Sequence, residues 1–305
     1  MSAAMLDRLV GAPISWGVCE VPGWGLELPV DRVLTEMADL GLVATELGSD
    51  GYLPTDPEQL RVAMSSRGMT MVGGFVPLVL HDQSQRRQSL ATADHVAGLL
   101  AGAGAEVFIS AATTSWDWQP RTSVSSSEWR HTFDMLDTIG EIATSHGLVQ
   151  ALHPHLGTIV QTRTEIDRVL NGSDVAFTLD TGHFLLGGFE PEEFVQQHFD
   201  RVAHVHLKDV IMSIAEPVVR GETPLVEGVQ AGMFCNLGMG DVAIDDTVVS
   251  LEARGYSGWY VLEQDTVLSA GVPPAGQGPV ADVGASIEHL RRLATKIRAQ
   301  TPDSC

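Results

Sequence analysis

The sequence predicts an α/β fold, a single (β/α)8 TIM barrel, on three observations. Eight short apolar runs recur along the 305 residues. Amphipathic segments with helical periodicity separate them, the alternation that builds a parallel sheet. No glycine-rich phosphate fingerprint follows the first run, which leaves the rival open, doubly wound sheet without support. A barrel accommodates this length in one domain, predicted over 1–299 with a flexible polar tail at 300–305.

The predicted strands are "LVGAPIS" (9–15), "LVATELG" (42–48), "TMVGGFV" (70–76), "EVFISAA" (106–112), "LVQALHP" (148–154), "VAFTLDT" (175–181), "VAHVHLK" (202–208) and "WYVLEQD" (259–265). Between them, Val30, Val33, Leu34, Met37 and Leu40 share one helical face and Gly41 stops the helix. Asp56-Pro57 supplies a cap and a first helical residue. Thr162 and Glu165 form a capping box ahead of Ile166, Val169 and Leu170, and Trp129, Phe133, Leu136 and Ile139 make a core stripe. Only 210–243, a stretch containing Gly and Pro after the seventh strand, reads as a long loop. "LGMGD" (237–241) within it reads as the turn leading into the next helix.

Composition narrows the partners. With Lys+Arg 18 against Asp+Glu 39, the formal charge of −21 repels nucleic-acid phosphates and anionic lipid, and disfavours a highly phosphorylated substrate. Neither nucleic acid nor membrane is expected as a partner; a small polyol substrate and a possible homo-oligomer are. Three widely spaced cysteines, Cys19, Cys235 and Cys305, suit a reducing cytoplasm. "MSAAMLDRLVGAPISW" lacks an apolar core of signal-peptide length, and "VAGLLAGAGAEVFISAA" is broken by Glu106, so the chain is expected to be cytoplasmic.

The chemistry concentrates at four strand ends. His153 ends the fifth strand, Asp180 the sixth, His206 the seventh and Glu263 the eighth, at spacings of 27, 26 and 57 residues. The first two spacings match one strand–helix unit, and the third matches a unit enlarged by 210–243. Alone, a histidine in a strand-end turn is ordinarily hydrogen-bonded, and an Asp in "LDTGH" can simply cap the next helix. Four ligand-type residues at consecutive strand ends converge on one point at the catalytic face of a barrel. Two nitrogens and two carboxylates suit a divalent transition metal, Mn²⁺ or Co²⁺ foremost, with Zn²⁺ possible.

In order and spacing, "LDTGH" (179–183), "HVHLKD" (204–209) and "VLEQD" (261–265) resemble the xylose isomerase-like barrel superfamily of sugar isomerases and epimerases. That resemblance spans nearly the whole chain. It implies one divalent metal on a Glu, an Asp, a His and a Glu, matched here by His153, Asp180, His206 and Glu263, with histidine replacing the first glutamate. Within the superfamily, "HPHLGT" (153–158), "ATELGSDGYLP" (44–54) and "LDTGHFLLGG" (179–188) resemble the inosose dehydratases, which remove water from 2-keto-myo-inositol. The dehydratase pattern has Asn-Asp after the first-strand Trp, where this chain reads "SWGVCEVPGWG" (15–25).

The resemblance implies a metal-dependent dehydratase of a keto-cyclitol, with an isomerase or epimerase on the same site as the alternative. A non-enzymatic sugar-binding barrel would not need four ligands, and an apurinic endonuclease conflicts with the charge. Glu263 is the candidate base. His155, His183 and Lys208 are candidates for the acid or for holding hydroxyls, unranked among themselves. His183 faces the substrate or supports a ligand, and His204 fills a deeper barrel layer. Glu46 faces the pocket or an internal salt bridge. Trp16 and Trp116 stack on a substrate ring or pack the barrel mouth.

Overall fold

Every predicted strand segment contains a strand, but local chemistry trims most of them. The computed structural model describes residues 5–19, 21, 23–121 and 123–300. The predicted tail beyond Gln300, and Cys305 with it, lies outside the described residues. Strand β1 spans Leu9–Gly11 and stops there because Pro13 opens a 3-10 turn, Pro13–Trp16, closed by Gly17 at φ 85°. The next six strands are β2 (Ala44–Glu46), β3 (Thr70–Val79), β4 (Val107–Thr113), β5 (Val149–Leu152), β6 (Ala176–Asp180) and β7 (Val202–Leu207). Two short strands follow, β8 (Asp209–Val210) and β9 (Phe234–Cys235), and then β10 (Tyr260–Leu262). Strands β1 to β7 and β10 close into one parallel barrel in the order β1-β10-β7-β6-β5-β4-β3-β2. The predicted (β/α)8 architecture is the observed one.

The helices surround the barrel: α1 (Val30–Asp39), α2 (Pro57–Ser65), α3 (Arg86–Ala103), α4 (Ser126–Ser145), α5 (Arg163–Gly172), α6 (Thr181–Leu186), α7 (Pro191–His198), α8 (Met212–Val219), α9 (Leu225–Gln230), α10 (Ile244–Ala253) and α11 (Pro279–Gln300). Their predicted caps hold. Asp56 accepts from the N–H of Gln59, and the Glu165 carboxylate accepts from the N–H of Thr162. Val33, Leu34 and Met37 of α1, Trp129, Leu136 and Ile139 of α4, and Ile166 and Val169 of α5 are buried in the layer between helices and sheet. Among the described residues no helix is long and apolar enough to cross a membrane.

Segment 210–243 is not the irregular loop its composition suggests. It carries α8, α9 and β9, with β9 antiparallel to β8. At eight and six residues these helices are too short to show a helical period in sequence. A buried carboxylate organises the segment's end. Asp209 accepts from the N–H groups of Val210 and Val242 through Oδ1, and from those of Gly238 and Gly240 through Oδ2. "LGMGD" therefore wraps Asp209. A Cβ on Gly240 would stand 2.4 Å from Asp209 Oδ1, so only glycine fits there.

Register positions the catalytic end. In β6 and β7, Thr178 pairs with His204 and Asp180 with His206, so two layers of polar side chains stack inside the barrel. Val261 pairs with His206, which brings Glu263 to the end of β7, where its N–H bonds Leu207 O. The N–H of His153 bonds Ser110 O in the middle of β4. Sequence order along the strands thereby becomes lateral order around one rim.

Candidate active site and metal centre

His153, Asp180, His206 and Glu263 do meet: one donor atom from each lies within 4.8 Å of every other. Three are fully buried and Glu263 is nearly so, at 10% exposure of its side chain. Asp180 performs both roles read from "LDTGH". Its Oδ1 accepts from the N–H of His183 and caps α6, while Oδ2 is left for the cluster. That second oxygen stands 3.4 Å from His153 Nε2 and 3.7 Å from His206 Nδ1. His206 Nδ1 lies 2.8 Å from Glu263 Oε2.

The proton positions follow from the outer partners. His153 Nδ1 donates to Pro154 O at 3.0 Å, which leaves the Nε2 lone pair facing Asp180. His206 Nε2 donates to Glu46 Oε1 at 3.0 Å, so a cation bound to the cluster would find Nδ1. Without one, burial lowers the His206 pKa but Glu263 and Glu46 raise it well above the ordinary value, the charge that a bound cation would replace. Asp180 Oδ2 and His206 Nδ1 are buried and make no hydrogen bond. Unpaired buried polar atoms are costly, and two aimed at one point are what a cation would satisfy. Two imidazoles and two carboxylates, with two donor atoms unspent, fit a divalent metal ion.

Glu46 answers both of its expected alternatives. A bulge between Thr45 and Glu46 sets its register against β3, and its carboxylate lines the cleft while taking His204 Nε2 at 2.7 Å and His206 Nε2 at 3.0 Å. Burial pushes its pKa up, but His206 and His204 outweigh that and hold it down to about 2. His204 sits in the deeper layer, as expected.

Lys208 is fully buried and is the local counter-charge. Its ammonium lies 2.7 Å from Glu263 Oε1, 2.8 Å from Asp265 Oδ1, 3.4 Å from Asp180 Oδ2 and 3.2 Å from His183 Nε2. Burial opposes the charge, but Asp180, Asp265 and Glu263 together hold its pKa well above the ordinary lysine value. Its stem runs over Gly182, where a Cβ would stand 2.8 Å from Lys208 Cγ. Glu263 is likewise pushed up by burial yet held well below the ordinary value by His206 and Lys208. In Asp265 burial wins, and its pKa is raised in spite of Lys208.

His155 does not join the first cluster. It donates from Nδ1 to Leu156 O at 2.8 Å and packs its ring 3.9 Å from that of His183. Burial, then His153 and Lys208, lower its pKa to about 3, so it is a neutral imidazole. His183 is kept neutral in the same way, by burial first and then by His155.

A cleft of about 90 Å³ opens over this floor. Neither Trp16 nor Trp116 lines it. Trp16 is fully buried beneath the mouth, its Nε1 donating to Glu36 Oε2 at 2.8 Å, because the chain turns at Pro13 before Trp16 can reach the rim. Trp116 points into a separate groove with Gln88 and His95, its Nε1 bonded to Gln85. Trp118 lines the cleft instead. Its left-handed backbone, φ 55°, turns the chain inward, and its ring stacks on Phe75 at 6.4 Å and 12°. Trp24 and Leu225 line the cleft from elsewhere in the chain. Sequence reasoning missed these four apolar residues and Asp265. Asp265 alone had a signal: it lies two residues beyond Glu263 in an extended segment, and so faces the same way.

Comparison with known proteins agrees with this architecture. The sequence pattern of the xylose isomerase-like TIM barrel matches residues 34–293. The chain is 32% identical over 304 residues to an inosose dehydratase of Geobacillus kaustophilus, covering 96% of each chain. It is 30% identical over 264 residues to an inosose dehydratase of Geobacillus thermodenitrificans, covering 83% of this chain and 88% of that one. Among solved structures, the IOLI protein with a bound zinc atom superposes with a TM-score of 0.70 at 14% identity, covering 95% of this chain and 98% of that one, a likeness of fold.

Proposed function

This chain belongs to the xylose isomerase-like TIM-barrel family, and from that premise we propose that it is a hydro-lyase that dehydrates a keto-cyclitol of the 2-keto-myo-inositol kind. The observation that carries the reading is the buried cluster of His153, Asp180, His206 and Glu263, with Lys208 bridging Glu263 and Asp265 beside it. The names of the relatives support the same reaction class.

His153, Asp180, His206 and Glu263 would hold the ion, Mn²⁺ or Co²⁺ by preference. When bound it supplies Lewis-acid polarisation of the substrate ketone. The chain's residues do the rest. Glu263, open to the cleft, accepts the proton from the carbon α to the ketone. As the β C–O bond breaks, an acid must protonate the departing hydroxide so that it leaves as water. Lys208 Nζ and Asp265 Oδ1, 2.8 Å apart, are placed for that. Where Lys208 has given its own proton to the leaving hydroxide, it takes up the one that Glu263 gained, 2.7 Å away at Oε1, and the pair is reset. His155 lines the cleft as a neutral imidazole whose Nδ1 is spent on Leu156 O, which leaves Nε2 to accept from a substrate hydroxyl, whereas both ring nitrogens of His183 are engaged, by Leu156 N–H and Lys208 Nζ.

Epimerisation needs a proton donor on the opposite ring face. Glu46 is committed to two imidazoles, and His153 stands where the family pattern has a carboxylate. Asp265 shares its lysine contact with Glu263 and so lies on the same side. Elimination avoids the missing step. The test is turnover of 2-keto-myo-inositol by metal-loaded protein in D₂O, followed by NMR and enol absorbance. A conjugated enol or diketone product is expected; a deuterated epimer without it would overturn the proposal.

A further inference from the structure

Trp116 presents an aromatic ring that the cleft does not use. It is 37% exposed, and its indole N–H donates to Gln85 Oε1 at 2.9 Å, which holds the ring in position. The ring lines a groove of about 460 Å³, larger than the cleft and within the ~300–1,000 Å³ range of small-molecule pockets. Three consecutive strand–helix units build that groove. The loop after β2 gives Ser49 and Asp50, one face of α3 gives Gln88, Thr92 and His95, and the loop after β4 gives Trp116. Among the described residues, the side chains of Ser49, Asp50, Gln88, Thr92 and His95 make no hydrogen bond or ion pair with the rest of the chain.

The groove adjoins the catalytic cleft, since Gly48, Ser49 and Phe75 line both. Phe75 forms the divide. Its ring centre stands 5.6 Å from that of His153 and 5.7 Å from that of His155. A ring seated over the cluster therefore needs one substituent to pass Phe75 and enter the groove. The lining specifies what that substituent carries. A pyranose ring sets an apolar C–H face on an aromatic platform and holds hydroxyls around its edge. An amide, an imidazole, a carboxylate and two hydroxyls supply both donors and acceptors for those hydroxyls. An aryl substituent would cover Trp116 and leave all five idle, and a phosphate would meet the Asp50 carboxylate.

We propose that this groove is a second sugar-ring subsite, so that the protein accepts a keto-cyclitol carrying a hexopyranosyl substituent, with Trp116 as the platform. The proposal rests on the cyclitol reading above for the ring in the cleft and adds the substituent to it.

Calorimetric titration of metal-loaded protein compares myo-inositol with its mono-O-glucosyl and mono-O-benzyl derivatives, none of which reacts. One stacked ring and one further hydrogen bond raise affinity on the order of 10-fold, so at least one glucoside should bind that much more tightly than the parent. Trp116→Ala should shrink the difference and leave myo-inositol affinity unchanged. Gln88→Ala, at an exposed position of α3, tests the same wall with little demand on folding and should act in the same direction. Glucosides that bind no more tightly than the parent, absent binding included, overturn the proposal. So does a benzyl ether that matches the best glucoside, or a pair of variants that weaken parent and glucoside alike. Turnover of 2-keto-myo-inositol is scored separately. Dehydration without a glucoside preference removes the subsite and leaves the reaction standing; a glucoside preference without dehydration does the reverse.

Discussion

Replacing Glu46 tests whether the proposed metal site depends on a residue that is not itself one of its four proposed ligands. Its Oε1 accepts from His206 Nε2 at 3.0 Å, and that bond keeps the His206 proton on the far nitrogen. Without it, the proton is free to move to Nδ1, the atom 2.8 Å from Glu263 Oε2, and the imidazole ceases to be a donor to the cluster. The same oxygen accepts from His204 Nε2 at 2.7 Å. Glu46→Leu leaves two buried N–H groups unpaired, at about 1–3 kcal/mol each. A total of roughly 2–6 kcal/mol is a large share of ordinary domain stability, so the leucine variant serves as the folding control. Glu46→Gln keeps shape and one acceptor but loses the charge. Removing a group that orients a metal ligand typically lowers affinity about 10- to 100-fold, equivalent to ~1.4–2.8 kcal/mol. Competition with a chromophoric chelator measures this directly, with thermal denaturation run in parallel. A glutamine variant that retains its melting temperature and binds Mn²⁺ or Co²⁺ within twofold of the parent would refute the reasoning.

Metal content should fall for His153→Ala and persist for His155→Ala, because only His153 directs an unspent nitrogen at Asp180; elemental analysis giving the reverse would show the wrong histidine had been chosen. Asp180→Asn should keep the α6 cap, since asparagine caps well, yet lose metal with only a modest fall in melting temperature. Gly187→Ala places a Cβ 2.1 Å from the backbone oxygen of Gln161 and should destabilise by about 1–3 kcal/mol in urea unfolding; no measurable change would mean that the helix end relaxes freely. Glu46 contributes stability that is complete above its ordinary pKa of 4.5 and is lost as pH falls toward about 2. Acid unfolding of Glu46→Gln should therefore show a shallower loss across that window than the parent does.

What was legible in the sequence was whatever repeats along the chain. Barrel strands recur with a unit spacing, and a parallel register turns that spacing into adjacency, so Asp180 and His206 could be placed together before any contact was known. Caps are equally local: Asp56 and Thr162 announce their helices within four residues. Lys208 was visible as a residue but not as a charge shared among three carboxylates, because Asp180, Glu263 and Asp265 reach it from two other strand ends. The cleft wall depended on the tertiary structure altogether. Trp16 and Trp116 looked as eligible as Trp24 and Trp118, and only the turn at Pro13 and the left-handed residue at 118 decide which rings face inward. Leu225 reaches the site through a segment whose end is wrapped on buried Asp209, by hydrogen bonds to backbone groups that leave no periodic trace in sequence. The sequence alone determined the barrel and the ring of ligand-type residues at its strand ends, because strand period and unit length are properties of the chain. Substrate fit was decided by folding, because a pocket wall is assembled from residues whose only relation is that they meet in space.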